Sequence, residues 1–237
     1  MFHVKQPVIG LRTTCRNNGL LLSDIQLAQL EAYVERLLDW NKKINLISRR
    51  DEENVWFSHI LHSLGILFSI DIPQASRILD LGSGGGLPGI PLAIARPDIS
   101  VTLLDSIRKK TMATEEIVGA IGLKNVAVRT GRAEELPMWR EAGGPYDTVV
   151  ARGVAGLKDL MQWSKRLVRK REPGVPSGTK PAAPHLLALK GGDLAGELAA
   201  ARKTGAVTIT VIAMKFEGSL ELGLEEKKLV LVNFIFS

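Results

Sequence analysis

From Arg77 to Gly89 the chain reads Arg-Ile-Leu-Asp-Leu-Gly-Ser-Gly-Gly-Gly-Leu-Pro-Gly, a short apolar run, an acid and then a turn dense in glycine. Glycine has no Cβ and takes positive φ without steric cost, so such a turn bends sharply and lays bare backbone against a ligand. Pro88 and Pro91 suit the first turn of a following helix, where a missing N–H costs nothing. Strand, glycine loop and helix in that order form a nucleoside-binding unit of α/β proteins. Read as G-x-G-x-x-G, the run is complete from Gly84 to Gly89, whereas from Gly82 the last place holds Leu87.

Two acids narrow the reading. Asp80 stands two residues before Gly82, where a dinucleotide-binding loop has an apolar residue. A carboxylate there would repel a pyrophosphate but meet an ammonium, directly or through water. The resulting Asp-x-Gly-x-Gly-x-Gly resembles the loop of S-adenosylmethionine-dependent methyltransferases. Ser100–Asp105 is a second strand ending in an acid, 19 residues past Gly86. A ribose-binding acid is expected about 20 residues after the loop.

The chain has 237 residues, enough for one domain with a small appendage. No apolar run reaches the roughly 18 residues of a membrane span. The opening Met-Phe-His-Val-Lys-Gln lacks the apolar core of a secretory signal, so a cytoplasmic location without membrane attachment is expected. Cys15 is the single cysteine, so neither an intrachain disulfide nor a cysteine zinc cluster forms, and a cysteine nucleophile is not expected. The net charge of +6 favours an acidic partner such as nucleic acid. The cations cluster at Arg49-Arg50, at Arg108-Lys109-Lys110, and at Lys165-Arg166 with Arg169-Lys170-Arg171, the last group assigned to a helix.

Residues 1–19 show no period and are expected to pack loosely. Ser23 and Gln26 form a capping box with Leu22 and Leu27 as a hydrophobic staple, opening a helix over about 24–41. A second helix is expected over about 52–68. Together residues 1–75 make a leader and helical cap, and 76–237 a cofactor-binding domain. There, strands near 77–81, 100–105, 125–130, 147–151 and 185–190 alternate with helices near 88–96, 107–121, 156–170 and 192–203. Alternation of this kind implies a mostly parallel sheet covered on both faces. Val207–Ile212 and Leu229–Ile235 lack a helix between them and read as a closing antiparallel hairpin. The Pro- and Gly-rich stretch 172–184 reads as a surface loop without catalytic role.

Ligands of an open α/β sheet bind beyond the carboxyl ends of its strands. Gly82 to Leu87 follow the first strand, and Asp105, able to hold two ribose hydroxyls, ends the second. Gly131-Arg132-Ala133-Glu134 after the third should pass the adenine. Arg152 after the fourth and Lys190 after the fifth should stand in the mouth of the site. His59 and His62 lie one helical turn apart, but no third metal ligand accompanies them, so a partly buried or RNA-facing helix is expected and no metal.

Trp40-Asn41-Lys42-Lys43-Ile44-Asn45-Leu46, His59-Ile60-Leu61-His62-Ser63, the loop Leu79 to Ala93, Leu103-Leu104-Asp105-Ser106, Arg152 and Ala188-Leu189-Lys190-Gly191 together resemble the bacterial rRNA small subunit methyltransferase G family. The resemblance spans about residues 23–235. It implies a class I, Rossmann-like methyltransferase fold and transfer of a methyl group from S-adenosylmethionine to N7 of a guanine in the 530-region loop of 16S rRNA. The substrate would be that rRNA or a small-subunit assembly intermediate, and the enzyme a monomer. Cofactor contacts carried over by motif fall on Gly82, Leu87, Ala133, Glu134 and Arg152; the glycine-loop reading adds Gly84, and the strand-end reading adds Asp105. Arg152 and Lys190 are the candidates for positioning guanine. The chain departs from the family where His62 replaces the acid of H-x-x-D-S, where Gly153 replaces alanine, and in the length of the Pro-rich stretch.

Guanine N7 has an in-plane lone pair and no proton, so its methylation requires no general base, and catalysis rests on positioning. Val149 to Gly153 carries no Asn-Pro-Pro-Tyr-like motif of the kind that receives an exocyclic amine. The competing readings are a class I methyltransferase of another RNA base, a small molecule or a protein, a non-catalytic RNA-binding module, and a dinucleotide oxidoreductase. An intact loop opposes the second; Asp80 and the terminal hairpin oppose the third.

Overall fold

A computed structural model describes residues 5–134, 145–170, 179–205, 207–220 and 226–236. Seven strands, β1 Arg77–Leu81, β2 Ser100–Asp105, β3 Val126–Thr130, β4 Thr148–Arg152, β5 Leu186–Gly191, β6 Val207–Ala213 and β7 Lys227–Phe234, form one sheet in the order β3-β2-β1-β4-β5-β7-β6. β1 to β5 run parallel, while β7 is antiparallel to both β5 and β6. This is the mostly parallel sheet with a closing antiparallel hairpin expected from the alternating pattern, and the class I methyltransferase arrangement that the family resemblance implies. The strand order reverses between β1 and β4, so the crevice for ligands opens beyond Leu81 and Arg152.

Alternate residues of the buried strands feed two cores. Ile78, Val101, Leu103, Val150, Leu187 and Leu189 face α1 Lys5–Asn17, α2 Asp24–Asn41, α3 His62–Ser69, α4 Gly89–Ala95 and α5 Arg108–Ala120. Leu79, Leu81, Leu104, Val149, Leu186 and Ala188 face α6 Leu157–Ser164 and α7 Ala195–Arg202. The N-terminal helices therefore share a core with the sheet.

Local signals hold in detail at α2. Ser23 Oγ accepts from Gln26 N at 3.3 Å and Gln26 Oε1 from Ser23 N at 2.9 Å, the capping box read from the sequence. The Gln26 amide also donates to the carbonyls of Ile94 and Ala95, closing the end of α4.

Three expectations need correction. From Lys5 the leader is helical: Val8, Leu11 and Cys15 follow helical spacing along α1 and are buried. Burial pushes the Cys15 thiol up to about 12, which keeps it an inert packing group. The helix expected over 156–170 ends at Ser164, because the chain turns there and Val168 bridges Tyr146. Lys165, Arg166, Arg169 and Lys170 thus lie beyond the helix, and Arg171 lies outside the described residues. The helix expected over 52–68 begins instead with a π-helical stretch, Trp56–Leu61, that runs directly into α3. Of the Pro-rich stretch, 172–178 lies outside the described residues, and Ala182 bridges Asp71.

Candidate active site

Beyond β1, β2 and β3 lies a cleft of about 340 Å³ lined by Gly82, Asp105, Ile107, Lys110, Ala133, Glu134, Gly153, Val154 and Trp163 among others. Gly82 adopts φ +70°, and a Cβ there would come within 2.5 Å of Val154 Cγ2, so torsion and space both demand glycine. The amides of Gly82 and Ser83 donate to the Leu104 carbonyl at 2.8 and 3.0 Å, tying the loop to β2. Tyr33 Oη donates to the Gly85 carbonyl at 2.9 Å and Thr114 Oγ1 to that of Gly84 at 3.0 Å. The loop is thereby held from α2 and α5 as well.

Asp105 is 7% exposed, and its two carboxylate oxygens accept from the amides of Gly84 and Ile107, each at 2.9 Å. Those bonds orient the carboxylate and leave one lone pair on each oxygen for a diol in the cleft. Ala133 is buried and Glu134 exposed at the same cleft. Gly84 and Leu87 are placed differently. Gly84 spends its amide on Asp105 behind the cleft, and Leu87 is 3% exposed within the core beneath α4 and α5.

Asp80 is fully buried; Oδ2 accepts from Gly89 N at 2.7 Å at the start of α4, while Oδ1 has no partner. Burial pushes the carboxyl up to about 7, against the lowering by the Gly89 hydrogen bond and by the charge of Arg152. An orphaned carboxylate oxygen behind the glycine loop fits a ligand that brings an ammonium, and the clamped Asp105 fits one that brings a ribose. S-Adenosylmethionine has both.

A second cleft, about 740 Å³, opens beyond β4 and β5 and is closed on its other side by the N-terminal elements. Leu46, Ile47, Ser48, Asp51, Ser58, His59 and His62 form one wall; Arg152, Gly153, Leu189, Lys190, Gly191 and Lys227 form the other. Gly153 lines both clefts and has φ +64°. The wall at 46–48 is shaped by Asn41, whose buried Oδ1 accepts from the amides of Leu46 and Ile47 at 2.7 and 2.9 Å.

The combination of a mostly parallel seven-stranded sheet, an Asp-backed glycine loop and a ribose-type acid narrows the chain to one class of fold; comparison narrows it further. Residues 26–216 match the family model described as rRNA small subunit methyltransferase G. The chain belongs to that family. Ribosomal RNA small subunit methyltransferase G of Bacteroides fragilis is 45% identical over 177 residues, covering 74% of this chain and 80% of that protein. Its namesake in Chlorobium luteolum is 40% identical over 208 residues, covering 88% of this chain and 80% of the other. The Moorella thermoacetica protein of that name is 32% identical over 218 residues, covering 92% and 86%.

Arg152 and Lys190 both line the second cleft. Arg152 is half-buried there; burial lowers its pKa, while Tyr33 and the carboxylates of Asp80 and Asp51 act in the opposite sense. Lys190, read as a second guanine-positioning cation, has its ammonium on the Ala155 carbonyl and on Glu197 Oε1, both at 2.7 Å. Glu197 also accepts from the Leu157 amide, so Lys190 ties the segment after β4 to α7.

His59 and His62 are 7% and 6% exposed and face the cleft. Burial first, and then Arg152, lower their pKa values to about 4 and about 3. Both rings are therefore neutral at physiological pH. The sequence placed the pair on a partly buried or RNA-facing helix; the structure buries both and sets them across the cleft from Arg152, a neighbour some 90 residues away that no local pattern shows. Among the described residues no cluster of three or more His, Cys, Asp or Glu could hold a metal ion.

The basic clusters separate in space. Arg49 and Arg50 are exposed beside the second cleft, and Lys110 lines the first. Lys165 and Arg166 instead border a groove with Lys158, Lys203, Val207 and Phe234. Phe234 lies past the amino end of β5, where Leu186 pairs with Val232, so this groove is at the far end of the sheet from Gly191. The described basic clusters therefore do not all border the two clefts. Among the described residues no helix is long and apolar enough to cross a membrane.

Proposed function

We propose that the protein transfers the methyl group of S-adenosylmethionine to N7 of a guanine in the 530-region loop of 16S rRNA. Its family and its sheet make it a methyltransferase of small-subunit rRNA; the choice of base and atom is the part proposed. The observation that carries the proposal is the meeting of two clefts at Gly153, one lined by the clamped Asp105 and the other by Arg152 and two neutral histidines.

Asp105 would hold the ribose, the backbone at Ala133 and Glu134 the adenine edge, and Asp80, buried behind the glycine loop, would attract the ammonium across it. When bound, the cofactor supplies an electrophilic methyl group on a sulfonium. Arg152, beside the junction, suits the O6 oxygen of guanine, which leaves N7 open in the reactive pose. Attack by the N7 lone pair would form the N–C bond while the sulfonium sulfur takes the C–S electron pair as leaving group, so the chain would have to hold the base in line but would have no proton to remove.

The wall agrees with that chemistry. An efficient general base has a pKa near the operating pH, whereas His59 and His62 lie well below it. The test is methyl transfer to unmodified small-subunit rRNA and particles, with borohydride reduction and aniline scission of the product. Scission at one guanine is expected. A methyl group on an exocyclic amine or a pyrimidine carbon would overturn the assignment.

A further inference from the structure

Two histidines of the second cleft keep buried ring nitrogens without a hydrogen-bond partner: both nitrogens of His59, whose Nε2 lies 3.4 Å from Asp51 Oδ2, and Nε2 of His62, the one whose tautomer is set by a backbone bond. The other side of the His62 ring is committed to the backbone of Ser58, in a bond that favours the protonated form of the imidazole. A bond of that sense is one in which the ring donates to a carbonyl. In the neutral ring this leaves Nε2 without a hydrogen, bearing only its lone pair. His62 therefore holds a fixed, desolvated acceptor in the wall of the cleft. An unpaired acceptor of this kind is costly in the free protein, and a ligand N–H would offset that cost.

Guanine carries its N7 lone pair on one edge and the N1–H donor on another, with O6 between them. Adenine has a bare lone pair at N1, which would oppose that of His62. We propose that His62 reads the Watson–Crick edge of the target guanine, with Nε2 accepting from the base N1–H while N7 is turned towards the Gly153 junction. The inference rests on the proposed function and adds the group that selects the base. Arg152 as donor to O6 and His62 as acceptor from N1–H form a complementary pair that adenine cannot satisfy at either atom.

The experiment uses the full chain and in vitro transcripts of small-subunit rRNA carrying either guanine or adenine at the mapped site. Single-turnover methylation, S-adenosylmethionine affinity and thermal unfolding are measured for wild type, His62→Leu and His62→Gln. Leucine fills the space without an acceptor, whereas the glutamine carbonyl restores one. His62→Leu should slow transfer to guanine by roughly 5- to 150-fold, the range for leaving a buried donor unpaired. The guanine-to-adenine rate ratio should fall with it, cofactor affinity should stay unchanged, and His62→Gln should recover most of both losses. A wild-type rate in His62→Leu, equal impairment of the two variants, or an unchanged ratio would overturn the role of His62 alone. Wild-type methylation away from guanine N7 would overturn the functional reading and this inference with it.

Discussion

The cleft beyond β1 and β2 is set by backbone, and the cleft beyond β4 and β5 by side chains. In the first, Asp105 is aimed by the amides of Gly84 and Ile107, and the loop amides are anchored to Leu104. In the second, Arg152, His59 and His62 converge from a strand end and from the π-helical and helical segments of the N-terminal cap. Backbone bonds within one loop can be specified by a contiguous motif. A wall assembled from segments some 90 residues apart needs the cap to be docked on the sheet. The first design suits an invariant small ligand; the second can be altered residue by residue to suit one acceptor.

The sharpest way to break this division is Arg152→Ala. If Arg152 serves the acceptor cleft, single-turnover methylation should fall by about 100-fold, as for loss of a charge-assisted hydrogen bond, with cofactor affinity within a few-fold of wild type. An equal loss in calorimetric affinity would move Arg152 to the cofactor side. The converse variant, Asp105→Ala, should weaken S-adenosylmethionine by about 1 to 3 kcal/mol. Wild-type affinity would remove Asp105 as the ribose ligand.

Asp80 gives a smaller effect with a defined sign. Its folded pKa, about 7, lies above the ordinary 3.8, so the fold favours the neutral acid. The resulting stability is fully present below the ordinary value and declines as pH rises through about 7. A ligand ammonium favours the ionised form, so affinity should climb between pH 5.5 and 7 by at most about tenfold per unit. Asp80→Asn should flatten that climb and raise the melting temperature of the free protein at pH 8. A climb that persists in the variant would assign it to another group.

The smallest expected effect concerns charge. Reversing Arg49 and Arg50, beside the acceptor cleft, should lower the log-log salt slope of rRNA binding, measured by filter binding, by roughly 0.7 for each phosphate no longer neutralised. Reversing Lys165 and Arg166, at the far end of the sheet, should leave methylation within threefold of wild type. Equal effects from both pairs would extend the RNA track around the sheet edge.

The sequence by itself determined the α/β alternation, the closing hairpin, the capping box at Ser23 and the position of the glycine loop at the carboxyl end of β1. Each depends on residues adjacent in the chain, through strand period, glycine torsion or a local side-chain bond. It also indicated which residues end the strands, and hence Asp105 and Arg152. Tertiary structure alone decided that Leu87 joins the core, that Lys190 is tied to Glu197, and that His59 and His62 face Arg152 across a cleft. It also gave residues 5–17 of the leader a helix with one buried face and placed Lys165 and Arg166 away from both clefts. The physical reason is that burial, orphaned hydrogen bonds and lowered pKa values arise only when distant segments exclude water from one another, and no local pattern of residues records which segments will meet.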